Sequence, residues 1–309
     1  MTAHKKIMVT GSNGLLGQKL IKALSTRKDV DTIAASKGEN RMENKAGYVY
    51  ESIDLTDKVA VEKIIARHLP DVIIHTAAMT NVDACESDKE GCLALNVTAV
   101  QYLVDITERL VPGAHFIHLS TDFVFDGLHG PYKEEDSPNP LSYYAWSKLE
   151  SEKVVQSSKL KWAIARTIIV YGIVDSMSRS NVVLWAKEAL AKGQKINVID
   201  DQFRSPTLSE DLADGCIAIA DKGATGLYHL SGPDTMSILE LVYRVADFWK
   251  LDKSVITIMK SDTLNQAAKR PPKTGFIISK ARRDLGYAPH TFEEGLKILD
   301  KQLKERLMS

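Results

Sequence analysis

Cysteine is scarce: Cys85, Cys92 and Cys216 are the only three in 309 residues. They are odd in number and carry no C-x-x-C spacing, which excludes a disulfide framework, and they read as reduced, small apolar side chains. Net charge is also missing, with forty basic residues against forty acidic ones and no block of one sign long enough to form a tail. Nucleic acid and anionic membrane are therefore poor partners, while a local basic pocket stays open. No stretch approaches the roughly 20 apolar residues of a membrane span. Met1 to Lys6 pass into Ile7-Met8-Val9 without an apolar signal core, so the expectation is a cytoplasmic protein. His115 and His118, three apart in an expected strand, face opposite sides and make no metal pair; no metal is expected. No linker rich in Gly, Ser or Pro divides the chain, and no internal repeat occurs.

What is present begins with a phosphate cradle. Ile7-Met8-Val9-Thr10 reads as a short strand, Gly11-Ser12-Asn13-Gly14-Leu15-Leu16-Gly17 as a turn, and Leu20, Ile21 and Leu24 as the apolar face of a helix. Strand, glycine turn and helix N-terminus together suit the pyrophosphate of a dinucleotide. The next strand, Val30 to Ala35, leads into Ser36 and Lys37, with Arg41 beyond and no acid until Glu39. A free 2′-hydroxyl calls for an acid there and a 2′-phosphate for cations and small hydroxyls. The reading is NADP(H), with NAD(H) as the alternative if Lys37 and Arg41 are only solvated loop charges.

A third strand over 47–53 leads to Asp54 and Leu55, where an adenine amino group could be met, and Asp57 is expected to cap the helix Val59 to His68. Asp71 to His75 reads as a buried parallel strand, followed by Ala77 and Ala78, small enough for a cofactor to lie on the backbone. On the expected helix Glu90 to Leu110, Asn96 is either a satisfied core polar group or a relay to a catalytic lysine.

The chain is organised around Ser120 to Glu150. Ser120 and Thr121 follow the apolar-rich run His115 to Leu119, which places two hydroxyls at the C-terminal end of a strand, where open α/β sheets bind ligands. Pro138 and Pro140 suit the approach to a helix. On it Tyr144 and Lys148, four apart, share a face. An ammonium close to a phenol favours the phenolate and lowers its pKa, and a hydroxyl such as Thr121 could hold a carbonyl oxygen beside it. The alternation of strand and helix runs to about Thr167, the strand Trp162 to Arg166 closing the sheet. Beyond Gly172 the alternation fails: 175–180 is loop-like, Asn181 to Ala191 a helix, Lys195 to Pro206 strand and loop, and Ser209 the cap of a further helix.

These residues carry a family resemblance. Gly11-x-x-Gly14-x-x-Gly17 with Tyr144-x-x-x-Lys148 resembles the extended short-chain dehydrogenase/reductase superfamily over nearly the whole chain. Ser120-Thr121-Asp122-Phe123-Val124-Phe125-Asp126-Gly127, Gly130-Pro131-Tyr132-x-Glu134, Arg166-Thr167 before Val170-Tyr171-Gly172, and Asp201-Gln202-x-x-x-Pro206-Thr207 resemble the dTDP-4-dehydrorhamnose reductases. The resemblance implies an α/β fold: a doubly wound parallel Rossmann sheet over 1–171, with 206–234 packing back onto it, and a smaller interleaved C-terminal substrate lobe from 172–205 and 235–309. It implies Thr121, Tyr144 and Lys148 as the catalytic set. It places the cofactor against Gly11, Asn13, Gly14, Leu15, Leu16 and Gly17, then Ser36, Lys37, Asp54 and Leu55, then Ala77, Ala78, Asn96, Tyr144 and Lys148.

For the dTDP-sugar substrate the resemblance implies Thr80, Val82, Asp122, Phe123, Asn181, Arg204 and Arg270. Arg204, or Lys269 with Arg270, would hold the diphosphate, since a neutral protein must gather positive charge locally. Asp122 and Tyr132 stand near the pocket with structural roles equally open. Three departures lie on the substrate side: Ile169 where the family often has Trp, Arg204 where it favours Gly, and Arg270-Pro271-Pro272-Lys273-Thr274-Gly275-Phe276 for R-P-x-x-S-x-L. They bear on which sugar is taken. The implied reaction reduces a 4-keto group to give dTDP-L-rhamnose. The rivals are an epimerase holding NAD tightly and a regulatory subunit like that of methionine adenosyltransferase. A homodimer is the base-rate expectation.

Overall fold

The computed structural model describes residues 4–176, 180–264 and 266–308. Among the described residues thirteen strands run in chain order: β1 Lys5–Thr10, β2 Val30–Ser36, β3 Val49–Ser52, β4 Val72–His75, β5 His115–Thr121, β6 Lys161–Thr167, β7 Val170–Tyr171, β8 Ile196–Ile199, β9 Phe203–Arg204, β10 Thr207–Leu208, β11 Gly226–His229, β12 Met236–Ser237 and β13 Ile256–Met259. Seven of them form one parallel sheet in the order β11-β6-β5-β4-β1-β2-β3. The order reverses at β1 and β4, so the ends of these two strands open a crevice.

Period-two alternation explains why both faces are buried. On β1, Ile7 and Val9 point to one face and Met8 to the other; on β4 and β5 the same split divides Ile74 and Ile117 from Ile73 and Phe116. The first face packs α1 (Leu15–Leu24) and, further along the chain, the helices Ser209–Lys222 and Ser279–Leu285. The second packs α2 (Lys58–His68) and the helices Ala99–Leu110 and Tyr143–Ser157. Between them run α3 (Val82–Ser87) and α4 (Lys89–Leu93), then α5 (Ala99–Leu110), α6 (Tyr143–Ser157), α7 (Val182–Ala191), α8 (Ser209–Lys222), α9 (Ile238–Trp249), α10 (Ser279–Leu285) and α11 (Phe292–Met308). A third core gathers α7, α9 and α11 with β8, around Val183, Leu241, Val245 and Leu296. In that region β13 pairs with β8, and β9 runs antiparallel to β12.

Several expectations need correction. The sheet is closed by β11 and not by β6: Gly226 to His229 pair outside β6 in parallel, a strand too short and too mixed in polarity to read from the sequence. The helix expected from Glu90 to Leu110 is interrupted by a π-helical turn, Ala94–Thr98, where Asn96 is drawn to a neighbouring backbone segment. Ser209 is not a cap. Leu208 is extended directly before α8, and the Ser209 hydroxyl donates to Glu210 at 2.9 Å. Asp57 does cap α2, accepting from the N–H of Val59 and Ala60. Of the loop expected over 175–180, residues 177–179 lie outside the described residues. Among the described residues no helix is long and apolar enough to cross a membrane.

Candidate active site

One elongated cleft of about 790 Å³ runs over the C-terminal ends of the central strands. At one end is the β1–α1 turn. Gly11 has φ of +75°, and a Cβ there would stand 2.6 Å from the Ala77 nitrogen, so this glycine is required both by conformation and by close approach. A Cβ on Gly17 would stand 2.2 Å from the Gly11 carbonyl oxygen, which packs the first turn of α1 against the turn itself. No side chain caps the N-terminus of α1, so its N–H groups and positive dipole end are open to an anion. Asn13 stitches the next loop to this turn: its Nδ2 donates to the Glu39 carbonyl at 2.8 Å, and its Oδ1 accepts from the Arg41 N–H at 3.0 Å.

Ser36, Lys37, Arg41, Asp54 and Leu55 all line the same cleft. Lys37 donates to Asp54 at 2.6 Å, and this bond, with those from Thr56, holds the Asp54 carboxyl down at about 2. Asp54 is thus an ion-paired carboxylate beside the cleft. Ala77, Ala78, Thr80 and Val82 form the next section of wall.

Of the two readings of Asn96, a satisfied core amide or a relay to Lys148, the structure shows the first, and Asn96 is not among the residues that line the cleft, where it was expected at the cofactor. It is buried: Oδ1 accepts from the Met79 N–H at 2.7 Å, and Nδ2 donates to the Met79 carbonyl at 3.1 Å and to Ser147 Oγ at 3.0 Å. It is a satisfied core amide that clamps the backbone leading to Thr80.

At the other end Thr121, Tyr144 and Lys148 converge on the cleft. β5 delivers Thr121; α6, capped by the Ser142 hydroxyl, which accepts from the Ala145 N–H at 3.3 Å, delivers Tyr144 and Lys148 one turn apart. The Thr121 hydroxyl donates to Asp122 at 3.1 Å. Burial raises the Tyr144 phenol above its ordinary value, with the Thr121 hydroxyl acting the other way. The lowering expected from Lys148 does not govern it: Lys148 is itself buried, its pKa drawn down to about 8 by that burial, against the pull of Glu152. The Lys148 ammonium meets His118 Nε2 at 3.2 Å. Phe123 sets its ring edge-on to Tyr144, 6.1 Å between centroids.

The expected substrate residues divide. Thr80, Val82, Asp122 and Phe123 line the cleft; Asn181, Arg204 and Arg270 do not. Asn181 caps α7, accepting from Leu184 and donating to the Gly172 carbonyl at 2.8 Å. Arg204 is buried and donates to the carbonyls of Phe203 and Pro271 at 2.7 Å each, and its Nε lies 3.8 Å from Asp122. Arg270 is locked on Asp83 at 2.6 Å. Neither guanidinium stands free to clamp a diphosphate, because each is matched locally to carbonyls or a carboxylate. Lys269 is exposed. Asp122 is the core of a second network: burial raises its carboxyl, opposed by Arg204 and by the hydroxyls of Thr274 and Thr121. Tyr132 is structural, stacked on Phe125 at 4.1 Å with its hydroxyl donating to Asp126.

The sequence reading missed Leu95, Thr167, Val170 and Leu212 as lining residues. Thr167 and Val170 lie in a motif that was noted; Leu212, on α8 far along the chain, gave no signal. Ile169, noted only as a departure, lines the cleft with φ of +29°, an uncommon conformation for a β-branched residue. The Ile168 carbonyl, accepting from the Thr207 hydroxyl at 2.7 Å, and the Ile169 carbonyl, accepting from the Thr207 N–H at 3.1 Å, hold it there.

The chain is 31% identical to methionine adenosyltransferase 2 subunit beta of Bos taurus, over 98% of this chain and 91% of that one. A crystal structure of a hypothetical dTDP-4-dehydrorhamnose reductase from Sulfolobus tokodaii superposes with a TM-score of 0.81 at 30% identity, covering 94% of this chain and 98% of that one. A dTDP-4-dehydrorhamnose reductase from Clostridium acetobutylicum superposes at 0.83 with 27% identity, covering 97% and 99%. The RmlD substrate binding domain matches residues 5–304, and the chain belongs to that family.

Proposed function

We propose that this protein is a reductase that uses NADPH to reduce the 4-keto group of a nucleotide-linked 6-deoxy sugar, converting dTDP-4-dehydro-6-deoxy-L-mannose to dTDP-L-rhamnose. The observation that carries the reading is the placement of Thr121, Tyr144 and Lys148 on the same cleft as the glycine turn and the open N-terminus of α1. At Gly11 and Gly17 a Cβ would meet backbone at 2.6 and 2.2 Å, so only glycine lets the turn close this tightly against the helix, whose first peptide N–H groups, those of Leu15 and Leu16, would receive the pyrophosphate. Ser36 at the end of β2 and Arg41 in the loop beyond it, with Lys37 largely exposed and able to exchange its bond to Asp54, favour a 2′-phosphate. When bound, the nicotinamide supplies hydride to the sugar carbonyl carbon.

The protein's own groups do the rest. Tyr144, kept protonated at neutral pH by burial, donates its proton to the developing alkoxide. Thr121, turning its hydroxyl from Asp122, would donate to that oxygen, and Lys148 places positive charge where the phenolate forms, which stabilises it more than the neutral phenol. Residues 1–171 with 206–234 hold the cofactor in this reading, and 172–205 with 235–309 hold the sugar. The test is oxidation of NADPH, and of NADH beside it, by purified protein given the keto sugar. Turnover with NADPH supports the reading; binding of NADPH without turnover of this or related keto sugars contradicts it.

One observation favours a second reading. The similarity to methionine adenosyltransferase 2 subunit beta spans almost the whole chain, so a regulatory role on a methionine adenosyltransferase is the alternative. A change in that enzyme's rate when this protein is added, together with no keto-sugar reduction, would select it.

A further inference from the structure

Lys148 lines the cleft, yet among the described residues the hydrogen bond of its ammonium goes inward, to Nε2 of His118 on β5 at 3.2 Å. His118 is fully buried, its ring stacked on that of His75 from β4 at 5.4 Å and 11°. An ammonium has three N–H donors and no acceptor, so the facing nitrogen must present a lone pair. Facing a charged ammonium, this makes His118 a neutral ring with its hydrogen on Nδ1, an atom that is buried and has no hydrogen-bond partner among the described residues. Ser151 Oγ, 2.9 Å from the same Nε2 and donating its own hydrogen to the Lys148 carbonyl at 2.7 Å, offers the competing arrangement, in which Nε2 carries the hydrogen and donates to the hydroxyl. The two exclude each other while Lys148 is charged.

We propose that His118 is the positioning residue for Lys148, accepting at Nε2 the hydrogen bond that orients the ammonium and leaves its two other N–H groups for vicinal hydroxyls of a ribose bound in the cleft. The groups facing this pair are His75 from β4, Glu152 from α6 and Cys92 from α4, with Tyr144 one turn earlier on α6. Of these Glu152 is committed to Arg166 and His75 to Thr10 at 2.7 Å, so His118 is the acceptor in hydrogen-bonding contact with Lys148. Its own protonation is suppressed, first by burial and then by the adjacent Lys148 and His75.

The proposal deepens the reductase reading and can fail separately from it. Nitrogen-15 NMR of the wild-type protein without cofactor, at neutral pH, should show His118 neutral with its hydrogen on Nδ1. A hydrogen on Nε2 would overturn the assignment, and this measurement needs no variant to fold. In His118→Leu, carbon-13 NMR of the lysine ε positions should show Lys148 titrating about one pH unit lower than in wild type. His118→Gln, whose amide oxygen can accept at the same place, should restore the wild-type value. An unchanged Lys148 titration in His118→Leu sinks the proposal. The descending limb of kcat/KM against pH should move with the NMR titration in each variant. NMR results as expected in a protein that reduces no keto sugar would remove the reductase reading and leave His118 as assigned.

Discussion

Arg166 on β6 and Glu152 on α6 meet through two hydrogen bonds, from Nε at 2.9 Å and from Nη2 at 2.7 Å, with both side chains buried. The pair anchors the helix that presents Tyr144 and Lys148 to the sheet, and the guanidinium lies 5.1 Å over the Phe125 ring. Removing one partner leaves an uncompensated buried charge. Glu152→Gln should therefore lose about 3–5 kcal/mol of folding stability, measured by urea unfolding. A loss within the range of surface substitutions would contradict the role given to the pair.

The glycines of the β1–α1 turn should not be equivalent. Gly17→Ala places a methyl 2.2 Å from a backbone oxygen, whereas Gly14→Ala places one 3.2 Å from the same atom. Backbone at the first site cannot yield as a side chain would. NADPH binding, followed by fluorescence titration, should weaken more than tenfold in Gly17→Ala and clearly less in Gly14→Ala. The reverse order would be inconsistent with the cradle.

Lys148 gives a pH dependence with a definite sign. Burial draws its pKa from 10.5 to about 8. Between those values the unfolded chain binds the proton and the native protein does not, so this group makes stability rise as pH rises from about 8 to about 10.5. Activity should move the other way: kcat/KM falls as pH passes about 8, because the free protein loses the ammonium. Lys148→Met should abolish both effects. A flat profile of kcat/KM from pH 7 to about 9.5 would contradict the assignment.

His290 supplies a contribution of opposite sign. Its Nδ1 meets the buried Asp211 at 2.6 Å, and that hydrogen bond raises its pKa above the ordinary 6.5. The stabilisation is fully present below the unfolded value and is lost as pH rises through the raised folded one. His290→Ala should lower Tm more at about pH 5.5 than at about pH 9; an equal fall at both would mean the contact acts only through packing.

Much of the chain through β6 was legible because its signals are local. The glycine turn, the apolar runs of β1, β4 and β5, Asp57 as a cap, and the placement of Thr121 at the end of β5 with Tyr144 and Lys148 on the next long helix need only nearby sequence. What was not legible depends on partners far away in the chain. Arg204 and Arg270 read as spare cations, yet the Pro271 carbonyl and Asp83 claim them. Asn96 stood on an apolar face with two readings open, and Met79, seventeen residues earlier, decided between them. β11 could be placed only by its pairing with β6. His118 was passed over because a lone buried histidine in a strand shows nothing in sequence of the lysine thirty residues on.

The most direct test of the account is NADPH oxidation in the presence of dTDP-4-dehydro-6-deoxy-L-mannose by the wild-type protein and by Tyr144→Phe, with NADPH affinity measured for both. The account predicts turnover by the wild type, a loss of at least about 100-fold in kcat for the variant, and near-equal NADPH affinity. Turnover that survives Tyr144→Phe would contradict the assignment of Tyr144 as the proton donor.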